Sequence, residues 1–342
     1  MAIGKLARPL LALVFGLLIA VIPMVALAET NPKPHSSLIE IRDHINLHYL
    51  DWGGDKQPLL LLAGLGDSSY VFTELAPLLT SDFRVVAVTR RGYGQSDLTR
   101  DGYTIADRVE DVRSFLDALK IQKVILVGHS AAGDELTAFA LKCPYRVKSL
   151  VYLDAAYDRA DPETPQPHVD AWRKVAAQLY GGISDDDSYR SRELRRRALS
   201  NLFRAEYGVG WGDALEENFS ETTVSNVDGT VSERTPSFVG RAVRQGASTE
   251  RLDVATVHVP ALLIFARGPL PEQIMLSPDL RQAVRTDERE YGIYFQKYLL
   301  RIEKQNPALQ VKVLADARHY FFLKDPAQIA QWVKDFTSRQ VN

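Results

Sequence analysis

The stretch GHSAAG at residues 128–133 places Ser130 between an apolar run of branched residues and a run of small, helix-compatible ones. Two roles compete for its hydroxyl: a local cap at a strand-to-helix turn, or a nucleophile held where the chain bends most sharply. Gly128 and Ala132 flank it at two positions before and after, with Gly133 next. A Gly-x-Ser-x-Gly turn has this shape, because its tight bend brings the flanking positions against neighbouring strands; Ala132 is a mild departure. A hydroxyl is a poor nucleophile at neutral pH, so the chemistry calls for a histidine base that is itself oriented by a carboxylate. His319, in VLADARHYFFL, stands in a loop between the last apolar strand pattern and the last helical one, which places it for that work. His129 adjoins Ser130 but is expected to point away from the site, and His35, His44 and His48 cluster near the start of the chain.

The elements that must position these groups are legible in the change of hydrophobic period. SLIEIRDHINLHYLDWG alternates in the manner of a half-exposed antiparallel strand pair, whereas PLLLLAG, FRVVAVTR, KVILVG and VKSLVYL are apolar throughout, as strands covered on both faces are. SSYVFTELAPLLTS has helical spacing, and TIADRVEDVRSFLDALK puts Val109, Val112, Phe115, Leu116 and Leu119 on one helical face. Strands alternating with helices predict an α/β fold built on a doubly wound, mostly parallel sheet. From residue 158 to 256 no comparable β-run occurs; VDAWRKVAAQLY and SYRSRELRRRALSNLFRAEYG read as helices of an inserted helical cap. The sheet resumes at PALLIFAR, followed by a long helix through EREYGIYFQKYLLRIEKQ, a strand LQVKVLAD and a final helix PAQIAQWVKDFTSR. The predicted organisation is a signal segment 1–28, a first core part 29–157, the cap 158–256 and a second core part 257–342.

Together, GHSAAG, LLLLAGLGDSSYVF and VVAVTRRGYGQSD, in their order and spacing, resemble the α/β-hydrolase superfamily over nearly all of the chain after the signal. LLLLAGLGDSSYVF is similar to the family's His-Gly-x-Gly oxyanion segment, and RGYGQS to its Arg-Gly-x-Gly-x-Ser turn. The resemblance implies acyl transfer through Ser130, with the backbone amides of Leu65 and Ala131 forming the oxyanion hole. It also implies the chain order serine, acid, histidine. Two positions depart from the pattern. Ala63 replaces the usual first His of the oxyanion segment, which predicts altered loop support, since amides provide the hole. The usual acid follows the strand equivalent to VPALLIFA, yet here RGPLPEQ offers only Glu272. Some members place the acid at the end of the preceding strand, here Asp154 in VYLDAAY. Asp154, Glu272 and some other group therefore stay open at this level. Asp154 has a further reading, hydrogen bonding to loop amides where the cap begins.

Composition excludes several other classes. A chain of 342 residues with 46% hydrophobic content can bury a large core, and a formal charge of −2 supplies no field for nucleic acid. The first 28 residues carry Lys5 and Arg8, an apolar run and a terminal ALA, the layout of a secretory signal peptide. An uncleaved membrane anchor is the alternative. Cleavage predicts a periplasmic or secreted protein with no stable membrane partner. The lone Cys143 can form no internal disulfide and reads as a small core residue. Arg195, Arg196 and Arg197 read as the solvated face of a cap helix rather than as an anion site. The scattered histidines imply no metal, no Gly loop implies a phosphate cofactor, and nothing specifies an oligomeric state. The expected partner is a small or medium acyl compound of ester type, with amide or carbon–carbon bond cleavage as chemical neighbours. A small-molecule binder or receptor with little or no turnover is the alternative from another class.

Overall fold

A computed structural model describes residues 32–165, 174, 190–272, 274 and 276–340. The expected signal segment, and the expected cap helix at VDAWRKVAAQLY apart from Lys174, lie outside the described residues. The antiparallel pair is β1 (His35–Glu40) and β2 (Asn46–Gly53). There follow β3 (Pro58–Leu62), β4 (Arg84–Val88), helix α1 (Ile105–Ala118), β5 (Val124–His129), α2 (Ala132–Lys142) and β6 (Val147–Leu153). The cap region contributes α3 (Arg192–Leu202), α4 (Asp213–Thr222), a hairpin of β7 (Thr223–Ser225) and β8 (Val231–Glu233), and α5 (Ser237–Thr249). The chain closes with β9 (Ala261–Ala266), α6 (Pro278–Gln305), β10 (Gln310–Leu314), α7 (Phe321–Lys324) and α8 (Pro326–Ser338).

The main sheet has eight strands in the order β1-β2-β4-β3-β5-β6-β9-β10. From β4 onward every neighbouring pair is parallel. The apolar strands are the ones covered twice. In β3, Leu60 and Leu62 join the layer of α1 and α2 with Leu126, Phe115 and Leu136, while Leu59 and Leu61 join the opposite layer with Val127, Phe72 and Val333. Each such leucine contributes about 1.5–3 kcal/mol by leaving water, which locks register because a one-residue slip would exchange the layers. Helix α1 starts with a capping box between Thr104 and Asp107, and its predicted apolar face is the one that packs inward.

Three expectations about elements are corrected. SSYVFTELAPLLTS forms two short 3-10 turns, Ser69–Phe72 and Ala76–Leu79, rather than a helix; Pro77 has no amide hydrogen to carry helical bonding through from the first turn to the second. The segment 158–256 expected to be a helical cap is not purely helical: Asn226-Val227-Asp228-Gly229 turns β7 into β8, with Gly229 at φ +83° and the Asp228 carboxylate accepting from the Thr230 amide at 2.9 Å. An Asp-Gly pair between β-branched residues is the sequence signature of that turn. Finally, Arg195 does not lie on a solvated face. It is buried and donates to Glu233 of β8 at 2.9 Å, while Leu194 is exposed instead.

Candidate active site

Parallel strands β3, β5, β6 and β9 lie side by side, so their carboxyl ends open onto one edge of the sheet, where ligand sites of such sheets form. Ser130 follows β5 and Asp154 follows β6. Both take left-handed backbone, at φ +54° and +49°, although neither is glycine. This conformation costs about 1–2 kcal/mol per residue and persists because the strands determine it, with the Ser130 amide donating to Leu153 O at 3.2 Å and the Asp154 amide to Ile264 O at 2.8 Å. The departure at Ala132 is accommodated, since that side chain is fully buried without needing glycine. The close approach falls one residue later: a Cβ on Gly133 would lie 1.7 Å from Ala155 O.

Asp154 is the carboxylate brought to His319. Its Oδ2 is 2.6 Å from His319 Nδ1, and its Oδ1 accepts from Tyr157 OH at 2.5 Å and from the Ala266 amide at 3.0 Å. Burial, then the charge of Asp154, pushes the Tyr157 phenol well above its usual range, so it stays a neutral donor. Glu272 is not brought to the histidine. Its side chain is 91% exposed, with Arg285 4.0 Å away. The end of β9, where the resemblance would place the acid, instead lends Asp154 the Ala266 amide and carries Arg267 next.

The predicted oxyanion segment packs directly on the serine. A Cβ built on Gly64 would lie 3.2 Å from Ser130 Cβ. Leu65 is half-buried against Tyr93, Tyr103, Val239 and Val243, and Ala131 caps the start of α2, where amides have no partner within the helix. Loop support around Ala63 comes from two side chains. Arg90, preceding the RGYGQS turn, donates to Gly64 O at 2.6 Å and to Glu135 of α2 at 2.8 Å. Asp67 accepts from Asn218 of α4 at 2.9 Å and from Tyr320 OH at 2.9 Å. Burial outweighs those hydrogen bonds and the nearby His319 and Arg90, pushing the Asp67 carboxyl up to about 6. The three sequence motifs are thus wired to one another through Arg90.

His129 does not turn away from the site as expected. Its ring lies 4.5 Å from that of His319, and its Nε2 donates to His319 O at 3.1 Å, since a carbonyl only accepts. Burial, then the neighbouring His319, holds it well below the usual imidazole range, so it remains neutral. The residue before the serine therefore anchors the backbone of the histidine loop. A cleft of about 410 Å³ opens beside His319 and Asp154, lined also by Arg159, Glu206, Arg267 and Tyr291. Sequence reasoning missed Asp67, Tyr157 and Arg267 as members of the site. Asp67 stood within the oxyanion stretch LLLLAGLGDSS, and Arg267 stood at the position of the missing acid.

Comparison with known proteins agrees with this architecture. A family model described as alpha/beta hydrolase fold matches residues 57–250. The chain is 38% identical over 109 residues to the putative carbamate hydrolase RutD of Caulobacter sp. (strain K31), across 32% of this chain and 40% of that protein. It is 28% identical over 152 residues to 2-hydroxy-6-oxononadienedioate/2-hydroxy-6-oxononatrienedioate hydrolase 1 of Pseudomonas putida, across 42% of this chain and 52% of that protein. These matches span about two fifths and one half of the curated relatives. The solved structure of E-2-(acetamidomethylene)succinate hydrolase has the same fold, with a TM-score of 0.67 at 22% identity over 89% of this chain and 99% of that one. With more than half of its length matched by the family model, the chain belongs to the alpha/beta hydrolase fold family.

Proposed function

We propose that this chain is an exported serine hydrolase that cleaves ester-type acyl compounds through a covalent acyl-Ser130 intermediate. The observation that carries the reading is the 2.6 Å contact between His319 Nδ1 and Asp154, at the sheet edge where Ser130 ends the adjacent strand. A carboxylate on Nδ1 makes that nitrogen the protonated one, leaving Nε2 as the base. Nε2 takes the Ser130 proton as Oγ attacks the acyl carbon. The tetrahedral oxyanion is held by the Leu65 and Ala131 amides, a contribution of the kind whose loss costs about 10²–10³ in kcat. Collapse expels the alcohol, which leaves with the proton carried by Nε2. Water then gives a proton to Nε2 as its oxygen attacks the acyl carbon, and on collapse the acyl–Oγ bond breaks, Nε2 returns that proton to Ser130 Oγ, and the carboxylic acid is released.

In this reading residues 158–256 form a cap inserted in the hydrolase core. Glu206 and Tyr207 from it line the cleft beside His319, which favours small or medium substrates. Residues 1–28 act as a cleaved signal peptide, so the exported form begins at Glu29. The deciding test is the intact mass of purified protein before and after a fluorophosphonate, with Ser130→Ala alongside. A single adduct absent from the variant is expected; a folded wild type that takes none overturns the nucleophile and leaves a binding role. A panel of matched ester, carbamate and carbon–carbon bond substrates then tests the ester assignment. N-terminal sequencing of the exported fraction tests the cleavage site.

A further inference from the structure

The cleft beside His319 contains three arginines, and two are committed. Arg159 donates to Asp134 of α2 at 2.6 Å. Arg318 donates to the carbonyls of Gly268 at 2.8 Å and Glu206 at 3.1 Å, with the Glu206 carboxylate 3.9 Å away. Arg267 differs. Among the described residues it has no carboxylate within ion-pair distance. Its guanidinium carbon lies 4.7 Å from the ring centres of both Tyr291 and Phe295 of α6, which hold it in place from one side. The cleft's carboxylates are also engaged: Asp154 by three donors, Glu206 near Arg318, and Glu288 by the Leu270 amide at 2.8 Å. Of the cleft's three arginines, Arg267 is thus the one whose guanidinium, among the described residues, has neither a carboxylate nor a carbonyl to donate to. It stands one residue beyond Ala266, whose amide binds the carboxylate paired with His319.

We infer that Arg267 binds a carboxylate of the substrate, so that the preferred acyl compound carries an anionic group on the part lying in this cleft. A guanidinium on a half-buried residue, with its donors free and its carbon set over aromatic rings, is pre-organised for a bidentate carboxylate. At about 410 Å³ the cleft, which His319 also lines, has room for a short carboxyl-bearing chain. This inference rests on the proposed acyl hydrolysis at Ser130, but its binding component is measurable without turnover.

The test pairs a binding assay with a rate ratio. Glutarate, against sodium chloride at equal ionic strength, is expected to raise the thermal unfolding midpoint of wild type and of Ser130→Ala, and to lose that effect in Arg267→Gln. Arg267→Met, which keeps an alkyl stem to pack on Tyr291, guards against a folding defect. For rates, kcat/KM for the p-nitrophenyl monoester of glutarate is divided by that for p-nitrophenyl valerate within each variant, so a general loss of activity cancels. Wild type should favour the anionic ester about 10- to 100-fold, mainly through KM, and the Gln and Met variants should lose the preference. No glutarate effect on wild type, or an equal effect or an equal ratio in the variants, overturns the assignment. Arg267-dependent glutarate binding with no turnover of either ester would instead sustain it and reject the hydrolytic reading of Ser130.

Discussion

Asp67 ties the loop after β3 to Asn218 of α4 and to Tyr320 beside His319, and its ionisation should be visible in the stability of the whole protein. The carboxyl is buried and is pushed from the usual 3.8 up to about 6, chiefly by loss of hydration. Between those two values the native chain holds a proton that the unfolded chain has released. Stability from this group is thus complete below about pH 4 and falls as pH rises through about 6. Over the full window the loss is about 3 kcal/mol, at about 1.4 kcal/mol for each tenfold change in proton affinity. Asp67→Asn keeps an acceptor for Asn218 and offers an amide to the Tyr320 oxygen, but it does not titrate. Urea unfolding followed by tryptophan fluorescence, at pH 4.5 and pH 8, gives the unfolding free energies of both proteins. The variant should gain about 2 kcal/mol on wild type between those pH values, since part of the loss already occurs below pH 4.5. A difference that stays constant within about 0.5 kcal/mol would refute the claim that burial outweighs the hydrogen bonds to this carboxyl.

Other perturbations separate neighbouring roles. Asp154→Asn should lower kcat for an acyl substrate by about 10³–10⁴, because an amide at that position fails to hold the His319 tautomer, while Glu272→Gln should stay within about twofold. The reverse outcome would move the acid to Glu272. Gly133→Ala, which drives a Cβ into Ala155 O, should destabilise the protein by about 3 kcal/mol and lower its calorimetric unfolding midpoint. An unchanged midpoint would mean that the start of α2 can move off the end of β6 freely.

Periodicity in the sequence determined the order of the main-sheet strands, the two-sided burial of the central ones, and hence the sheet edge to which Ser130 and Asp154 are carried. That information is local: an apolar run at period two or 3.6 reports which faces are covered, and a Gly-Ser turn between two such runs reports a sharp bend. Local spacing also contained the hairpin turn at Asp228-Gly229 within the cap. Only the tertiary structure shows that Asp154, and not Glu272, lies against His319. Strands β6 and β9 are parallel neighbours ending at one edge, so either could have supplied the acid. The choice came from the left-handed turn at Asp154 and from donors 3 and 112 residues away, Tyr157 and Ala266. The same holds for Arg195, buried by a partner 38 residues on, and for Asp67, whose neighbours lie 151 and 253 residues distant. A charged residue's burial depends on what meets it across space, and no period along the chain records that.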